Sequence, residues 1–580
     1  MKPRFHRLFS FLRNPAASRY FRGDDRLLLI STGMLAGLCG GLAAVLLSRS
    51  LEYCLHISMN IREYWWAVFI PGAGAALSSL FLNHIMKEGA GHGVPEVIYA
   101  VSRYGGLLRL RSSFSRLASS CLTIGAGGSA GPEAPIVMSG AAIGSNLARF
   151  FRLNDRQRIT LVGCGTAGAI AGIFNAPITG LVFTAEVILG EWTGANIVPI
   201  AMASVAGAEL SRLLQGNQNI FAAVPFSIGM PDIIASAGLA LAAAATSILL
   251  TRALRRMHHV SAGLSGLPLF VRAALGGIGV GLIGMAFPMV MGEGYHYIQE
   301  MIDSVFLPGM PIAVIALLLK ILATSLTLGW GGSGGIFAPS LVLGAFTGIS
   351  FHRFLVLLWP GVDWVAEGCF ALLGMAGLIS GILQAPLTGI FLVVEITGSY
   401  NSILPLIVVS AFSSTLCQYI EPASIYLKDL VEKGELLRPG TDERVLSDLR
   451  LTEVLEKDCI SVSPHTVLRD FIGVIQQSRR NYWPVEESPG GTFAGMVHLD
   501  DIRPYLFNPG MYDAVLVDQV MTRNPPAADL NDDLQAVLAR MDELHVYSMP
   551  VLYNGRFMGM VSKGTLLDRY RKELKVQTLR

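Results

Sequence analysis

The fold of this chain is decided by the stretch Gly128-Ser-Ala-Gly-Pro-Glu-Ala-Pro135, which recurs 204 residues later as Gly332-Ser-Gly-Gly-Ile-Phe-Ala-Pro339. A second pair follows in the same order at an offset of 209. In it, Ala167-Gly-Ala-Ile-Ala-Gly-Ile-Phe-Asn-Ala-Pro-Ile-Thr-Gly180 matches Ala376-Gly-Leu-Ile-Ser-Gly-Ile-Leu-Gln-Ala-Pro-Leu-Thr-Gly389, and Glu186 falls on Glu395. Two matched pairs in one order at nearly one offset predict a duplicated unit.

Charged residues are scarce in the part of the chain that holds both copies. Of 580 residues, 15% are charged and 52% are hydrophobic, whereas about 25% of the residues of a soluble domain are charged. Residues 1–26 carry nine of the 86 charged side chains and residues 431–580 carry 40, which leaves 37 for residues 27–430. This distribution predicts a multi-span membrane domain over 27–432, in two repeats of about 27–251 and 260–432. It excludes an ordinary cytosolic enzyme.

Basic residues predict the orientation of the membrane domain. Residues 1–26 hold seven basic and two acidic side chains, so the positive-inside rule predicts a cytoplasmic N-terminus. A second basic cluster, at residues 252–259, predicts a cytoplasmic loop between the halves. The seven cysteines show no motif spacing and are interpreted as small core residues, so neither a disulfide nor a metal site is expected.

The tail has the composition of a soluble domain and also contains a repeat. Asn481-Tyr-Trp-Pro-Val485 is matched by Tyr547-Ser-Met-Pro-Val551, and Gly-Met-Val follows each of them. Apolar periodicity predicts a helix before each strand pair, at residues 468–475 and 534–541. We therefore expect a linker over 433–450 and two α/β units, over 451–507 and 515–572.

Glycine- and proline-rich segments interrupt the apolar helices of the membrane domain at three places. Helices are expected over 94–101, 136–150 and 336–349, each directly after such a segment. A helix N-terminus presents unpaired N–H groups and about half a positive charge, so it binds an anion without a full cation. No Lys or Arg is identified beside these segments. The scarcity of membrane acids disfavours a divalent-cation transporter, and no nucleophile–base or metal-ligand set favours an enzyme.

Four motifs in order carry a resemblance to the CLC family of chloride channels and chloride/proton exchangers. Gly91-His-Gly-Val-Pro95 resembles GSGIP, Gly131-Pro-Glu-Ala-Pro135 resembles GREGP, Gly335-Ile-Phe-Ala-Pro339 matches GxFxP, and Ser424-Ile-Tyr426 matches the segment with the pore tyrosine. The resemblance covers roughly residues 27–430, and the tail is similar to tandem CBS domains. It implies an all-α polytopic membrane protein with an inverted repeat of broken helices, joined to a cytoplasmic α/β CBS pair.

The resemblance also implies partners and a location. We expect a homodimer in the inner (cell) membrane with one chloride path in each subunit, and with the N-terminus and the tail in the cytoplasm. The chain then conducts anions, catalyses no reaction and binds no nucleic acid. Voltage-gated, channel-like permeation with a glutamate gate and regulation by the CBS domains is the main hypothesis, and proton-coupled chloride/proton antiport on the same scaffold is the alternative.

Site residues follow from the matched motifs. Glu133 is the implied gating glutamate, whose carboxylate competes with the free anion when it is charged and swings away when it is protonated. The implied anion site consists of the backbone N–H groups of Ile336 and Phe337 and the hydroxyl of Tyr426. The motif positions His92, Gly93 and Gly335 complete the anion-binding set.

Two departures from the family pattern bear on function. His92 replaces the pore serine, so anion preference and acid response are open, and a packed core histidine remains the alternative. Val187 occupies the position of the internal proton-transfer glutamate, next to Glu186, and a valine carries no proton. This departure favours uncoupled permeation, although Glu191 one turn beyond is an alternative relay. Glu186 and Glu395 are interpreted as structural acids at helix ends.

The tail keeps part of the CBS nucleotide signature Gly-x-h-Ser/Thr-x-x-Asp, in which h is apolar. The first repeat retains Asp501 without the hydroxyl, and the second retains Ser562, with Thr565 in place of the Asp. Two interpretations stay open. One is a composite adenine-nucleotide site, and the other is a purely structural, dimerising pair.

Overall fold

The computed structural model describes residues 25–61, 64–89, 93–217, 221, 228–303, 309–398, 400–433, 449, 451–478, 480–488 and 490–578. It divides into two compact units, residues 1–436 and 437–580. The basic N-terminal segment lies almost wholly outside the described residues, and so does most of the expected linker.

The first repeat of the membrane unit is helical, and glycine or proline marks most of its breaks. A short 3₁₀ turn, Trp65–Phe69, precedes α2, and π-helical turns extend α2 and α7 over Phe81–Met86 and Thr184–Leu189. The helices are α1 (Asp25–Ile61), α2 (Ile70–Leu80), α3 (Val94–Arg103), α4 (Ser112–Gly125), α5 (Glu133–Phe150), α6 (Asp155–Phe174), α7 (Pro177–Phe183) and α8 (Gly194–Gln215).

The second repeat follows the same plan. Its helices are α9 (Met230–Gly263), α10 (Leu269–Ala286), α11 (Tyr295–Ile302), α12 (Met310–Gly329), α13 (Phe337–Leu358), α14 (Glu367–Leu383), α15 (Pro386–Thr397), α16 (Ile403–Ile420) and α17 (Lys428–Glu432). The matching helices α6 and α14 both end on a left-handed residue before Ala-Pro, Asn175 at φ 56° and Gln384 at φ 55°.

Eight helical segments of the described residues are both long enough and apolar enough to cross a membrane. They are Arg26–Ser58, Trp65–Met86, Gly194–Gln215, Met230–Gly263, Leu269–Ala286, Met310–Gly329, Phe337–Leu358 and Ile403–Ile420. Three shorter apolar helical segments also occur among the described residues, Pro177–Leu189, Glu367–Leu383 and Pro386–Thr397. Full spans mixed with short, interrupted helices confirm the predicted class of polytopic membrane protein with broken helices.

Close glycine crossings hold each repeat together at corresponding places. A Cβ atom on Gly165 of α6 would lie 2.0 Å from the carbonyl oxygen of Gly140 in α5, and one on Gly374 of α14 would lie 2.2 Å from that of Gly344 in α13. Only glycine permits this approach, and small residues at helix interfaces are how membrane helices come close. The two halves therefore share their helix packing as well as their motifs.

Three expectations about helix boundaries were wrong. Helix α5 begins at Glu133 and not at residue 136, because proline is tolerated in a first turn and Pro135 is included there. Helix α13 begins at Phe337 and runs past residue 349 to Leu358. The basic cluster at 252–259 is helical within α9, where Arg252 and Arg255 form ion pairs with Glu421 and Glu432.

The tail contains two three-stranded sheets, each with a helix before its hairpin. The helices α18 (Leu468–Gln477) and α21 (Leu534–Glu543) confirm the two helices predicted there. The first sheet has the order β1 (Tyr482–Glu486), β2 (Phe493–His498), β3 (Thr522–Arg523), and the second has β4 (Ala528–Asp529), β5 (Ser548–Tyr553), β6 (Arg556–Ser562). Short helices α19 (Leu499–Ile502) and α20 (Val517–Val520) and the terminal α22 (Lys563–Thr578) complete the unit.

The two hairpins of the tail repeat each other in register. Trp483 pairs with Val497 in the first antiparallel hairpin, and Met549 pairs with Val561 in the second. Each hairpin has an irregularity at the same place, directly after the valine of the Pro-Val pair. The tail is therefore a duplicated α/β unit, as the sequence predicts.

Candidate functional site

The starts of two broken helices are joined by a pair of backbone hydrogen bonds. The N–H of Gly131 donates to the carbonyl of Gly335 over 2.8 Å, and the N–H of Gly335 donates to the carbonyl of Gly131 over 2.7 Å. Each glycine lies two residues before its helix, α5 or α13. The structure thus brings together the two copies of the duplicated motif in an antiparallel bridge.

Threonine hydroxyls support the irregular backbone on either side of this bridge. Thr327 of α12 accepts from the N–H of Ser129 over 3.0 Å, and Thr123 of α4 accepts from the N–H of Ser333 over 3.1 Å. Each threonine therefore serves the motif of the other repeat. Non-helical backbone survives at membrane depth only where its polar groups are paired or face a wet cavity, and these bonds pair them.

A third helix start, that of α3, packs against the first turn of α5. Gly93 precedes α3 with φ +83°, and a Cβ atom there would lie 2.7 Å from the carbonyl oxygen of Ala134. Both the dihedral angle and the space require glycine. His92 lies outside the described residues, so its expected place in the pore stays a prediction.

The expected anion site is at the start of α13. Ile336 is the residue before the helix and Phe337 is its first residue, so their N–H groups have no partner within the helix. The ring of Phe337 is buried against the rings of Phe174 and Phe183, with centroids 5.5 and 6.0 Å away. The N–H of Gly335 is bonded to the carbonyl of Gly131, and the place of Gly335 in the anion-binding set stays a prediction.

Glu133, the first residue of α5, places its carboxylate over the glycine bridge. The residue is 2% exposed. Its Oε2 atom lies 2.0 Å from the position of a Cβ atom on Gly131 and 3.4 Å from that of one on Gly335. Oε2 has no close hydrogen-bond partner among the described residues, and the backbone N–H of Ala338 in the first turn of α13 faces the carboxylate. Because Gly131 and Gly335 have no side chains, the Glu133 carboxylate has room to lie against the start of α13.

Tyr426 is buried in the same region. It lies between α16 and α17, is 4% exposed, and is close enough to Glu133 for electrostatic interaction. The neighbouring Ser424 accepts backbone hydrogen bonds from Leu427 and Lys428 through its carbonyl group. The structure therefore places the expected pore tyrosine near the expected gate.

Three polar residues around Glu133 were missed by the sequence analysis: Tyr295 and Glu293 interact with it directly, and Lys320 interacts with Glu293. The hydroxyl of Tyr295 donates to Oε1 of Glu133 over 2.6 Å. Lys320 in α12 is fully buried and donates to the carbonyls of Val290 and Gly292, each over 3.0 Å. Lys320 is therefore a buried cation of the membrane domain that the sequence analysis did not identify, and its recorded hydrogen bonds go to the segment before α11 and not to the three expected helix starts. A lone lysine in an apolar helix was the available signal for Lys320, whereas nothing in the local sequence identified Tyr295.

The matched acids Glu186 and Glu395 each cap a helix of the other repeat. Glu186 accepts from the N–H of Thr388 over 2.8 Å and from its hydroxyl over 2.7 Å, at the start of α15. Glu395 accepts from the N–H of Thr179 over 2.6 Å and from its hydroxyl over 2.7 Å, at the start of α7. Carboxylates stabilise helix N-termini in this way. Val187 follows Glu186 in the π-helical turn and adds no titratable group.

The expected nucleotide residues of the tail make hydrogen bonds within the protein. The hydroxyls of Ser562 and Thr565 both donate to Oε1 of Glu456, which also pairs with Arg480 through Oε2 at 2.7 Å. Asp501 accepts from the N–H of His498 and caps its own short helix. The Glu456 carboxylate thus accepts hydrogen bonds from both hydroxyls that were expected to contact phosphate.

A cavity of about 250 Å³ opens elsewhere in the tail. None of the three expected nucleotide residues lines it. Its lining residues are Met496, His498, Pro525, Pro526, Val546, Tyr547, Ser548 and Pro550.

Comparison with known proteins agrees with this geometry. A family model described as "Voltage gated chloride channel" matches residues 74–418, more than half of the chain, and a model described as "CBS domain" matches residues 517–572. The chain is 28% identical to the H(+)/Cl(-) exchange transporter ClcA of Vibrio cholerae, over 69% of this chain and 87% of that protein. It is 26% identical to chloride channel protein CLC-f of Arabidopsis thaliana, over 82% of this chain and 69% of that protein.

Among solved structures, the chain resembles that of a slow cyanobacterial Cl-/H+ antiporter. The TM-score is 0.63, with 21% identity, over 71% of this chain and 98% of the other. At this identity the likeness shows the fold alone.

Glu456 generates a prediction about the stability of the tail. Burial acts to raise the pKa of Glu456, but hydrogen bonds from Ser562, Thr565 and Tyr482 and the charge of Arg480 outweigh it and hold the pKa below its usual value of 4.5. A lowered pKa stabilises the fold at pH values above 4.5, and this stabilisation is lost as the pH falls through the folded-state pKa. We expect Glu456→Gln to destabilise the tail by about 1.5–3 kcal/mol at neutral pH.

Hydrogen exchange of tail peptides in the full-length protein measures this effect. The exposed Glu543→Gln is the matched control and should exchange like the wild type. The difference between wild type and Glu456→Gln should shrink as the pH falls below 4.5. Equal exchange of both proteins at neutral pH would contradict the proposed contribution of Glu456.

Proposed function

This chain belongs to the CLC family of chloride channels and chloride/proton exchangers, and on that premise we propose that Glu133 gates its anion path. The family match establishes transmembrane anion transport. The observation that carries the proposal is the position of the Glu133 carboxylate, with Oε2 only 3.4 Å from a Cβ position on Gly335, two residues before α13.

The ionised carboxylate of Glu133 is an anion tethered to the chain, and it lies where a free anion could bind. The start of α13 supplies unpaired N–H groups and a partial positive charge in a low-dielectric environment. A charged carboxylate there excludes chloride because it occupies the site at which these N–H groups would bind the anion. Protonation removes that attraction, so the side chain leaves and chloride enters. Gating is then a competition between two anions that is controlled by one proton.

The anion itself is proposed to bind the N–H groups of Ile336 and Phe337 and the hydroxyl of Tyr426. Support comes from the helix start at Phe337 and from the burial of Tyr426 near Glu133. His92 is proposed as a further donor, because a neutral imidazole donates one N–H and an imidazolium donates two. Acid-sensitive conduction and an altered anion preference are its expected consequences.

Uncoupled permeation is proposed over proton exchange. Val187 cannot carry a proton, and the carboxylate of the neighbouring Glu186 is occupied by Thr388. The next acid along the chain, Glu191, accepts a hydrogen bond from Asn196. A proton relay from the inner side to Glu133 therefore has no acid at the family position. The exchanger remains the second candidate, because ClcA of Vibrio cholerae is named as an H(+)/Cl(-) exchange transporter.

The assembly is proposed from family membership. We place the protein in the inner (cell) membrane as a homodimer, with the N-terminus and the CBS pair in the cytoplasm and one chloride path per subunit. It catalyses no reaction. The tail is proposed as a structural, dimerising pair and not as a nucleotide sensor, because Glu456 already occupies Ser562 and Thr565.

Paired flux measurement separates the channel from the exchanger. Liposomes that contain the purified protein are loaded with chloride. Two electrodes then record chloride and proton movements at the same time. We expect chloride efflux without stoichiometric proton uptake, because the internal carboxylate is missing at Val187. Proton uptake at a fixed ratio to chloride efflux would refute the channel hypothesis and support the antiporter.

Glu133→Gln tests the gate itself. In the wild type, the ratio of protonated to ionised gate changes about tenfold per pH unit, so chloride flux should rise toward acidic pH. The neutral amide resembles the protonated gate, so the variant should conduct at all pH values with most of the pH and voltage dependence lost. Chloride efflux from liposomes across a pH series measures this, with Glu300→Gln on α11 as the control. A variant as pH-sensitive as the wild type would refute the assignment.

A further inference from the structure

Tyr295 lies where a side chain can hold the gate closed. It is the first residue of α11 and follows Gly294, whose φ of +87° turns the chain into the helix. Its hydroxyl donates to Oε1 of Glu133 over 2.6 Å, a distance typical of an O–H donor to a carboxylate. This is the one side-chain hydrogen bond to Glu133 recorded within the described residues.

The ring of Tyr295 is held by a buried neighbour. Phe221 meets it edge to face, with centroids 6.0 Å apart and planes at 83°. Phe221 is itself 1% exposed, and its N–H donates to the carbonyl of Ile396 in α15 over 3.1 Å. The phenol therefore points at Glu133 from a packed ring, so little conformational entropy is lost when its hydrogen bond forms.

The segment before α11 is anchored by a buried cation. Lys320 of α12 donates to the carbonyls of Val290 and Gly292. A fully buried ammonium group is costly unless it is hydrogen-bonded or paired, so the conformation of this segment is tightly specified. Lys320 thereby fixes the backbone from which Tyr295 reaches Glu133.

Four groups besides Tyr295 act electrostatically around the gate. Tyr426 and Glu293 interact with Glu133, Lys320 interacts with Glu293, and Glu52 of α1 also interacts with Glu293. When Glu293 is ionised its charge opposes a charge on Glu133, and a protonated Lys320 offsets the charge of Glu293. Of these groups, Tyr295 alone has a hydrogen bond to the Glu133 carboxylate among the recorded contacts of the described residues.

We propose that the Tyr295 hydroxyl is a latch that favours the closed position of Glu133 by donating a hydrogen bond to its carboxylate. This inference rests on the proposed gating by Glu133. An ionised carboxylate accepts an O–H bond more strongly than a protonated one does. The latch therefore stabilises the charged, closed gate, and protonation weakens the latch at the same time as it removes the attraction of α13. Tyr295 is a positioning residue, because it acts on the anion only through Glu133.

Tyr295→Phe removes the hydroxyl and keeps the ring. Chloride efflux from liposomes is measured across a pH series for the wild type and for this variant. Without the latch, the gate should open at lower proton concentration, so the half-maximal pH should rise by about one unit, which is tenfold or about 1.4 kcal/mol. In the Glu133→Gln background, the same substitution should leave the flux profile unchanged.

Two further variants distinguish the loss of the Tyr295 hydrogen bond from an effect on folding. Tyr297→Phe removes a hydroxyl from the same helix and should keep the wild-type midpoint. Incorporation of 3-fluorotyrosine at position 295 preserves the shape but makes the phenol a stronger donor, so the midpoint should move to lower pH. Size-exclusion profiles in detergent report whether each protein is folded.

The outcomes distinguish this inference from the gate on which it rests. An unchanged midpoint in folded Tyr295→Phe and in the fluorotyrosine protein, with Glu133→Gln insensitive to pH, would overturn the latch alone. A Glu133→Gln protein that keeps the wild-type pH dependence would overturn the gate and the latch together.

Discussion

The reciprocal hydrogen bonds between Gly131 and Gly335 are the constraint on which the rest of the structure depends. They join two chain segments that are not helical, at a depth where unpaired backbone is very costly. Because the bonds satisfy those groups within the protein, α5 and α13 can begin inside the membrane with their N-termini close together. The partial charge of those termini is then available for an anion and for the carboxylate of Glu133.

Duplication satisfies this constraint in both repeats, because the same set of contacts stabilises the broken helices of each half. Thr123 and Thr327 support the opposite motifs, and Glu186 and Glu395 cap opposite helices through the same pair of contacts. Each repeat therefore completes the other, and neither half could satisfy its broken helices alone. In this arrangement the starts of α5 and α13, one from each repeat, lie together, and this is where the anion path is proposed.

The sequence predicted most of this arrangement, because the repeats and the Gly/Pro breaks are local patterns. The membrane class, the helix starts near Val94, Glu133 and Phe337, and the duplicated tail follow from them. Contacts between distant segments could not be predicted in this way. The bond from Tyr295 to Glu133 spans 162 residues and the contact of Ser562 with Glu456 spans 106, and neither leaves a local pattern. The ion pairs of Arg252 and Arg255 within the helical basic cluster likewise join residues that are distant in sequence.

The central claim is that peptide N–H groups at the start of α13 hold an anion that Glu133 displaces. Anomalous diffraction from crystals of Glu133→Gln grown in bromide tests it most directly. The account predicts a bromide peak within hydrogen-bonding distance of the N–H groups of Ile336 and Phe337 and of the Tyr426 hydroxyl. Side chains filling that space, with bromide absent from it at saturating concentration, would contradict the account.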